Sequence, residues 1–233
     1  MARQTDLLAI GDIVTDAFIK LIDNQAYVTE NDQGKWLTMQ FGTKLPFDHA
    51  EVLEGVGNAS NAAVSASRLG LKTSFVTNVG DDKEGLSMIR ALQKEKIDTS
   101  LVRVNARKVS NMHYVLWYKE ERTILINHEN YKYYWPHLRP DEIPRWVYFS
   151  SISENALEYH DQVSDWLDKH PDVKLAFQPG TFQMKAGTER LKRLYARSEV
   201  MVLNREEAEF VSGGKREDLH NMFDRLHALG CKI

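Results

Sequence analysis

Short apolar runs and helical segments alternate through most of this chain, and few architectures accommodate that order. A run at 7–13 ends in Gly11-Asp12. A small-residue helix is predicted over 58–69, a strand over 73–79 and a helix over 84–96, with Leu86, Ile89 and Leu92 on one face. From Trp146 onward the periodicity predicts strands at 146–150, 173–178 and 200–203. Helices are predicted at 155–169, 188–196, 205–211 and 216–229. Strands joined by helices in this order imply a parallel sheet with helical crossovers, buried on both faces. Two stretches break the pattern. Residues 17–54 and 99–128 mix polar and apolar residues in short runs with turn signals, including a hairpin around Lys119 to Arg122. They are expected to form one separate, small antiparallel sheet. The division predicted is an α/β domain at 1–16, 55–98 and 129–233, with the small sheet at 17–54 and 99–128. The last residues, Cys231-Lys232-Ile233, read as the opening of another parallel strand, so the chain is expected to be cut short there.

Composition narrows the class further. Charged residues make up 27% of the 233 residues and the formal net charge is -3, which argues against a general nucleic-acid binder. No apolar stretch is long enough to span a bilayer. The single cysteine, Cys231, cannot form an internal disulfide and reads as a small buried residue in a reducing compartment. A soluble, cytoplasmic protein is expected. The eight histidines are scattered and read as surface or core residues, with no pair at zinc-ligand spacing. No Walker-type phosphate loop is present. The aromatic run Tyr131 to Trp135 could stack a base or pack a domain junction.

Four segments carry chemistry. Residues 54–85 read EGVGNASNAAVSASRLGLKTSFVTNVGDDKEG. Gly57 lets backbone approach a ligand at a helix N-terminus, and Asn58 and Asn61 offer amides to hydroxyls, although a turn and N-cap explain Gly57 and Asn58 equally. Asp16, after Gly11-Asp12, can accept two hydrogen bonds from a diol, or it is a solvated turn residue. Asn204 and Glu207 have the spacing of a capping box, and one glutamate beside a nucleotide also suits magnesium. Gln178, before Pro179-Gly180, stands where α/β proteins bind ligands, as a contact or as part of a strand-ending turn.

Together these motifs resemble the ribokinase/PfkB family of sugar and nucleoside kinases. Gly57, Asn58, Asn61, the Arg68-Leu69-Gly70 helix end and Gly80-Asp81-Asp82 with Gly85 fit its N-terminal signature. Val56 stands where the family has the first glycine of a pair. The resemblance covers nearly the whole chain. It implies a doubly wound, Rossmann-like α/β fold with a β-lid over the sugar site, and often a homodimer through that lid. It implies phosphoryl transfer from ATP with Mg2+ to a sugar or nucleoside hydroxyl. On this reading Asp16, Gly57, Asn58 and Asn61 bind substrate, and Asn204 and Glu207 serve phosphate and magnesium. The family's C-terminal G-A-G-D motif, which supplies the catalytic aspartate and an anion hole, has no counterpart here; Val211-Ser212-Gly213-Gly214 lacks the aspartate. The expectation is therefore the acceptor-binding part of a kinase without turnover of its own. The alternative is a non-catalytic ligand-binding or dimerising protein derived from one.

Overall fold

The computed structural model describes residues 5–215 and 217–233. In chain order the strands and helices are β1 (Leu7–Ile10), β2 (Val14–Leu21), β3 (Ala26–Asn31), β4 (Gly34–Met39), β5 (Phe47–Val56), α1 (Asn58–Arg68), β6 (Thr73–Gly80), α2 (Lys83–Lys94), β7 (Val102–Asn105), β8 (Met112–Tyr118) and β9 (Glu121–Asn127). There follow β10 (Trp146–Phe149), α3 (Leu157–Lys169), β11 (Lys174–Phe177), α4 (Thr181–Ala186), α5 (Lys192–Arg197), β12 (Ser198–Met201), α6 (Arg205–Ser212) and α7 (Leu219–Ala228). The helix expected over 188–196 is the shorter α5, and α4 precedes it where no helix was expected. The predicted start of the last helix at Arg216 lies outside the described residues.

Six parallel strands form the main sheet in the order β12-β11-β10-β1-β6-β7. Alternation along the strands feeds two cores, one on each face. Leu8 and Ile10 of β1 join Phe149, Phe177 and Leu167 on the α3 and α5 side, and Ala9 joins Phe75, Met88 and Ala63 on the α1 and α2 side. Helix α1 buries only Ala59, Ser60, Ala63 and Ala66. It therefore sits close to the sheet: a Cβ added at Gly11 would fall 2.8 Å from the Ala59 Cβ. On α2 the inward residues are Gly85, Met88 and Leu92, whereas Leu86, expected on that face, is 47% exposed. Backbone bonds from Lys232 and Ile233 to the Ser198 and Glu199 carbonyls run alongside β12, in keeping with the strand expected there.

The interrupting segments follow the expectation in part. The lid is a four-stranded sheet, β5-β2-β8-β9, with antiparallel outer ladders and a parallel β2–β8 ladder at its centre. It begins at Val14, so Asp16 is a lid residue and not the end of the α/β domain. Val102–Asn105, assigned by sequence to the small sheet, pairs in parallel with β6 at the edge of the main sheet. The β3–β4 hairpin is a sheet of its own. It packs on the lid through Ala26, Leu21 and Tyr118, with Leu37 and Leu116 against them.

The Gly80-Asp81-Asp82 turn ties the domain to the lid. The Asp82 carboxylate caps α2 by accepting from the Gly85 amide at 2.9 Å. It also accepts from the Ser110 amide at 2.7 Å and the Ser110 hydroxyl at 2.6 Å, just before β8. The Ser110 hydroxyl in turn accepts from the Gly80 amide at 3.0 Å. The backbones meet too closely for side chains. A Cβ at Gly80 would lie 2.3 Å from the Lys108 carbonyl oxygen, and one at Gly85 2.4 Å from that of Gly80. Partial burial alone would raise the Asp82 carboxyl, but the Ser110 and Gly85 donors outweigh it and hold the carboxyl below its ordinary value. A lowered carboxyl stabilises the fold above its unfolded value of about 3.9, and that contribution fades as pH falls through the folded value. Asp82→Ala is expected to lower the unfolding free energy by about 1–3 kcal/mol at neutral pH. In urea denaturation the gap between parent and variant should shrink below about pH 4.

Candidate functional site

Strand periodicity aims one face of the lid at the carboxyl ends of β1 and β10. Val14, Asp16 and Phe18 of β2, His113 and Val115 of β8, and Arg122, Ile124 and Ile126 of β9 alternate along their strands and line one cavity of about 530 Å³. Its other wall is the main domain: Asp12 after β1, Gly57, Asn58 and Asn61 at the start of α1, Ser151 after β10, and Thr181, Phe182 and Lys185 of α4. The crevice beyond strand ends is where open α/β sheets place ligands.

Four of the sequence-predicted residues meet here: Asp16, Gly57, Asn58 and Asn61. Gly57 has φ 125, and a Cβ there would lie 3.0 Å from the Asp12 carbonyl oxygen, so both conformation and space call for glycine. Its carbonyl accepts from the Ser60 hydroxyl at 3.0 Å and the Asn61 amide at 2.8 Å. The Asn58 and Asn61 side chains are exposed to the cavity.

Asp16 belongs to a polar row that no motif announced. The parallel register sets Asp16 opposite His113, and their side chains approach to 3.2 Å, Oδ1 to Nδ1. The His113 and His128 Nε2 atoms are 2.9 Å apart. The ring centroids lie 5.1 Å apart with planes 15° from parallel. With the Nε2 atoms this close, the imidazoles meet end to end rather than face to face. His128 Nδ1 then lies 3.4 Å from Asp12 Oδ2, and the Tyr133 hydroxyl donates to Asp12 at 2.9 and 3.1 Å. To serve each other and both carboxylates the two rings would need three protons, one more than two neutral imidazoles carry. The outer contacts are poorly aligned, however. Asp16 Oδ1 and His128 Nδ1 are buried without a hydrogen bond among the described residues, which leaves Asp16 able to accept from a hydroxyl.

The remaining expectations land elsewhere. Gln178 does not line the cavity; its amide oxygen accepts from the Tyr148 hydroxyl, across the neighbouring strand. Asn204 and Glu207 form a reciprocal capping box at α6, Asn204 Oδ1 accepting from the Glu207 amide at 2.8 Å and Glu207 Oε2 from the Asn204 amide at 2.9 Å. The second Glu207 oxygen takes part in neither bond. The aromatic run packs the junction: Tyr131 is buried and donates to the Val109 carbonyl, Tyr133 holds Asp12, and Trp135 packs on Trp166 and Tyr159. Sequence reasoning missed His113, His128, Phe182 and Lys185. The period of two in β8 and β9 was the available signal for His113, but only the β2–β8 pairing shows which face is inward.

Among the described residues no cluster of His, Cys, Asp or Glu could hold a metal ion, and no helix is long and apolar enough to cross a membrane. The pattern of the pfkB family carbohydrate kinases matches residues 52–232. A Klebsiella pneumoniae fructokinase is 25% identical over 201 residues, covering 79% of this chain and 63% of that protein. A Haemophilus influenzae ribokinase is 34% identical over 59 residues, 25% of this chain and 19% of that protein. The chain thus spans less than two-thirds of these curated relatives. Among solved structures, Arabidopsis thaliana ribokinase, complexed with ribose and ATP, superposes with a TM-score of 0.74 at 17% identity, covering 98% of this chain and 70% of that one. That likeness shows the ribokinase fold, a parallel α/β core with a small lid sheet. The family match, which takes in most of the chain, shows its membership: this chain belongs to the pfkB family of carbohydrate kinases.

Proposed function

We propose that this chain provides the acceptor site of an ATP-dependent kinase that phosphorylates a hydroxyl of a sugar or nucleoside. The observation that carries the reading is the convergence of Asp16, Gly57, Asn58 and Asn61 on one cavity, with an Asp16 oxygen that meets His113 but has no hydrogen bond among the described residues. A polyol fits such a wall. Its hydroxyls donate to the carboxylate and exchange hydrogen bonds with the amides, while its carbon face lies on Phe18, Val115, Ile124 and Phe182.

ATP would supply the transferred phosphoryl group, whose charge catalysis must stabilise. Glu207 suits magnesium, because its second carboxylate oxygen is left out of the capping box. Asn204 has its amide oxygen committed to the cap and its NH2 left to donate. This chain's own contribution is to bind and orient the acceptor and, with the lid, to exclude water. His113 stands beside Asp16 on the same wall, with His128 next to it.

The reading extends to assembly. Tyr27, Val28, Trp36 and Tyr114 are each about half exposed on the lid and its hairpin, whereas Leu37 and Leu116 are partly covered. Such apolar surface on strands calls for cover, and a second lid would provide it. Sedimentation is expected to show a concentration-dependent dimer that Trp36→Glu weakens; a monomer at every concentration would exclude it.

For the site itself, isothermal titration with ribose, fructose and adenosine is expected to find an acceptor among them. Asp16→Ala and Asn61→Ala should each weaken it about 5- to 150-fold, the equivalent of about 1–3 kcal/mol for a lost polar contact, with unchanged folding by circular dichroism. Parent-like affinity in both variants would refute the assignment.

A further inference from the structure

A second cavity, of about 220 Å³, lies on the opposite side of Tyr133 from the acceptor pocket, between the middle of β6, the start of β7 and the 133–136 segment. Neither the family motifs nor the acceptor site uses it. Its polar wall is incompletely satisfied. The Thr77 hydroxyl, Trp135 indole nitrogen and Tyr159 hydroxyl are all buried without a hydrogen-bond partner among the described residues, and all three residues line this one cavity. Thr77 is 4% exposed and Tyr159 2%. Buried polar groups left unpaired are costly, and three around one void point to an occupant.

The chemistry of the wall selects that occupant. The indole nitrogen only donates, and the hydroxyls can. Asn78 has its amide oxygen engaged by the Asn105 amide at 3.1 Å, so its NH2 remains to donate. Arg103, an exposed residue that also lines the cavity, brings a guanidinium held 5.0 Å over the Tyr134 ring. No aspartate or glutamate lines the space. The carboxylate of Asp12 is occupied by Tyr133 and lines the acceptor pocket instead. A wall of donors with one cation suits an acceptor-rich anion, and the volume admits a molecule of up to about ten non-hydrogen atoms.

We propose that this cavity binds a small oxyanion, a phosphate or a short carboxylate, between Arg103 at its edge and the Thr77, Asn78, Trp135 and Tyr159 donors within. The site is independent of the acceptor reading and stands whatever the acceptor pocket binds.

The test is thermal melting of the full chain in titrations of inorganic phosphate and of acetate, each against chloride at matched ionic strength. A saturable rise in Tm is expected in at least one arm, and the responding arm identifies phosphate or carboxylate. Arg103→Gln, at an exposed position that should not disturb folding, and Thr77→Val, which removes a buried hydroxyl at nearly constant shape, should each raise the half-saturating concentration at least tenfold. Lys185→Gln, which removes a cation from the acceptor pocket, should leave it unchanged. No saturable response beyond chloride would mean that the cavity holds water only. A response that persists in Arg103→Gln or in Thr77→Val, or that is lost in Lys185→Gln, would place the anion elsewhere and overturn the proposal.

Discussion

The parallel pairing of β2 with β8 is the contact on which the rest of the site depends. It joins two segments far apart in sequence into one sheet, sets Asp16 opposite His113, and aims every second residue of both strands into the same cavity. A slip of one residue in β2 would turn Asp16 to the outer face and bring in Thr15 or Ala17, and a slip in β8 would replace His113 with Met112 or Tyr114. The register is held at its start by backbone and side-chain bonds. The Thr15 amide donates to the Asn111 carbonyl at 3.1 Å, the Asn111 side-chain amide donates to the Ile13 carbonyl at 3.2 Å, and its oxygen accepts from the Glu129 amide at 2.9 Å. One buried asparagine thereby ties together the beginning of β2, the beginning of β8 and the chain leaving β9.

A second link fixes the lid against the main domain. Asp82, Ser110 and the two glycines beside them provide it, and they lie within the sequence signature that resembles the family. Gly80-Asp81-Asp82 and Gly85 line no part of the acceptor cavity. Their pattern records backbone contacts too close for a Cβ and a carboxylate that serves as both helix cap and tether. Gly57, by contrast, combines a positive φ with a place on the cavity wall. The signature thus contains residues that line the cavity and residues that fix the lid against the main domain.

Much of the architecture was legible in the sequence because parallel strands and amphipathic helices carry strong periodic signals. The small-residue helix α1 and the segments at β6, α2, β10 and α3 lie close to where periodicity placed them. Val102–Asn105 was misplaced because a four-residue edge strand with two exposed residues looks like any lid strand until its partner is known. Asp16, Gly57, Asn58 and Asn61 were legible through a motif. His113 and His128 were not, because each is a lone histidine whose meaning comes from a partner on another strand. Gln178 ends the right kind of strand, but it lies outside this cavity and Tyr148 engages its amide oxygen. The capping box at Asn204 and Glu207 shows one spacing serving local structure while leaving a carboxylate oxygen for other use.

On the proposed function, the Asp16–His113–His128–Asp12 row faces a bound polyol. Imidazole resonances of 15N-labelled protein, followed during titration with the acceptor, report on that row directly. The account predicts that His113 and His128 shift together and saturably, because a hydroxyl donating to Asp16 changes the ring that touches it and, through the shared Nε2 contact, the ring beyond. His170, stacked on Trp166, and His227, bonded to the Cys231 carbonyl, should stay still. Saturable binding that leaves His113 and His128 unmoved would contradict the placement of the acceptor site.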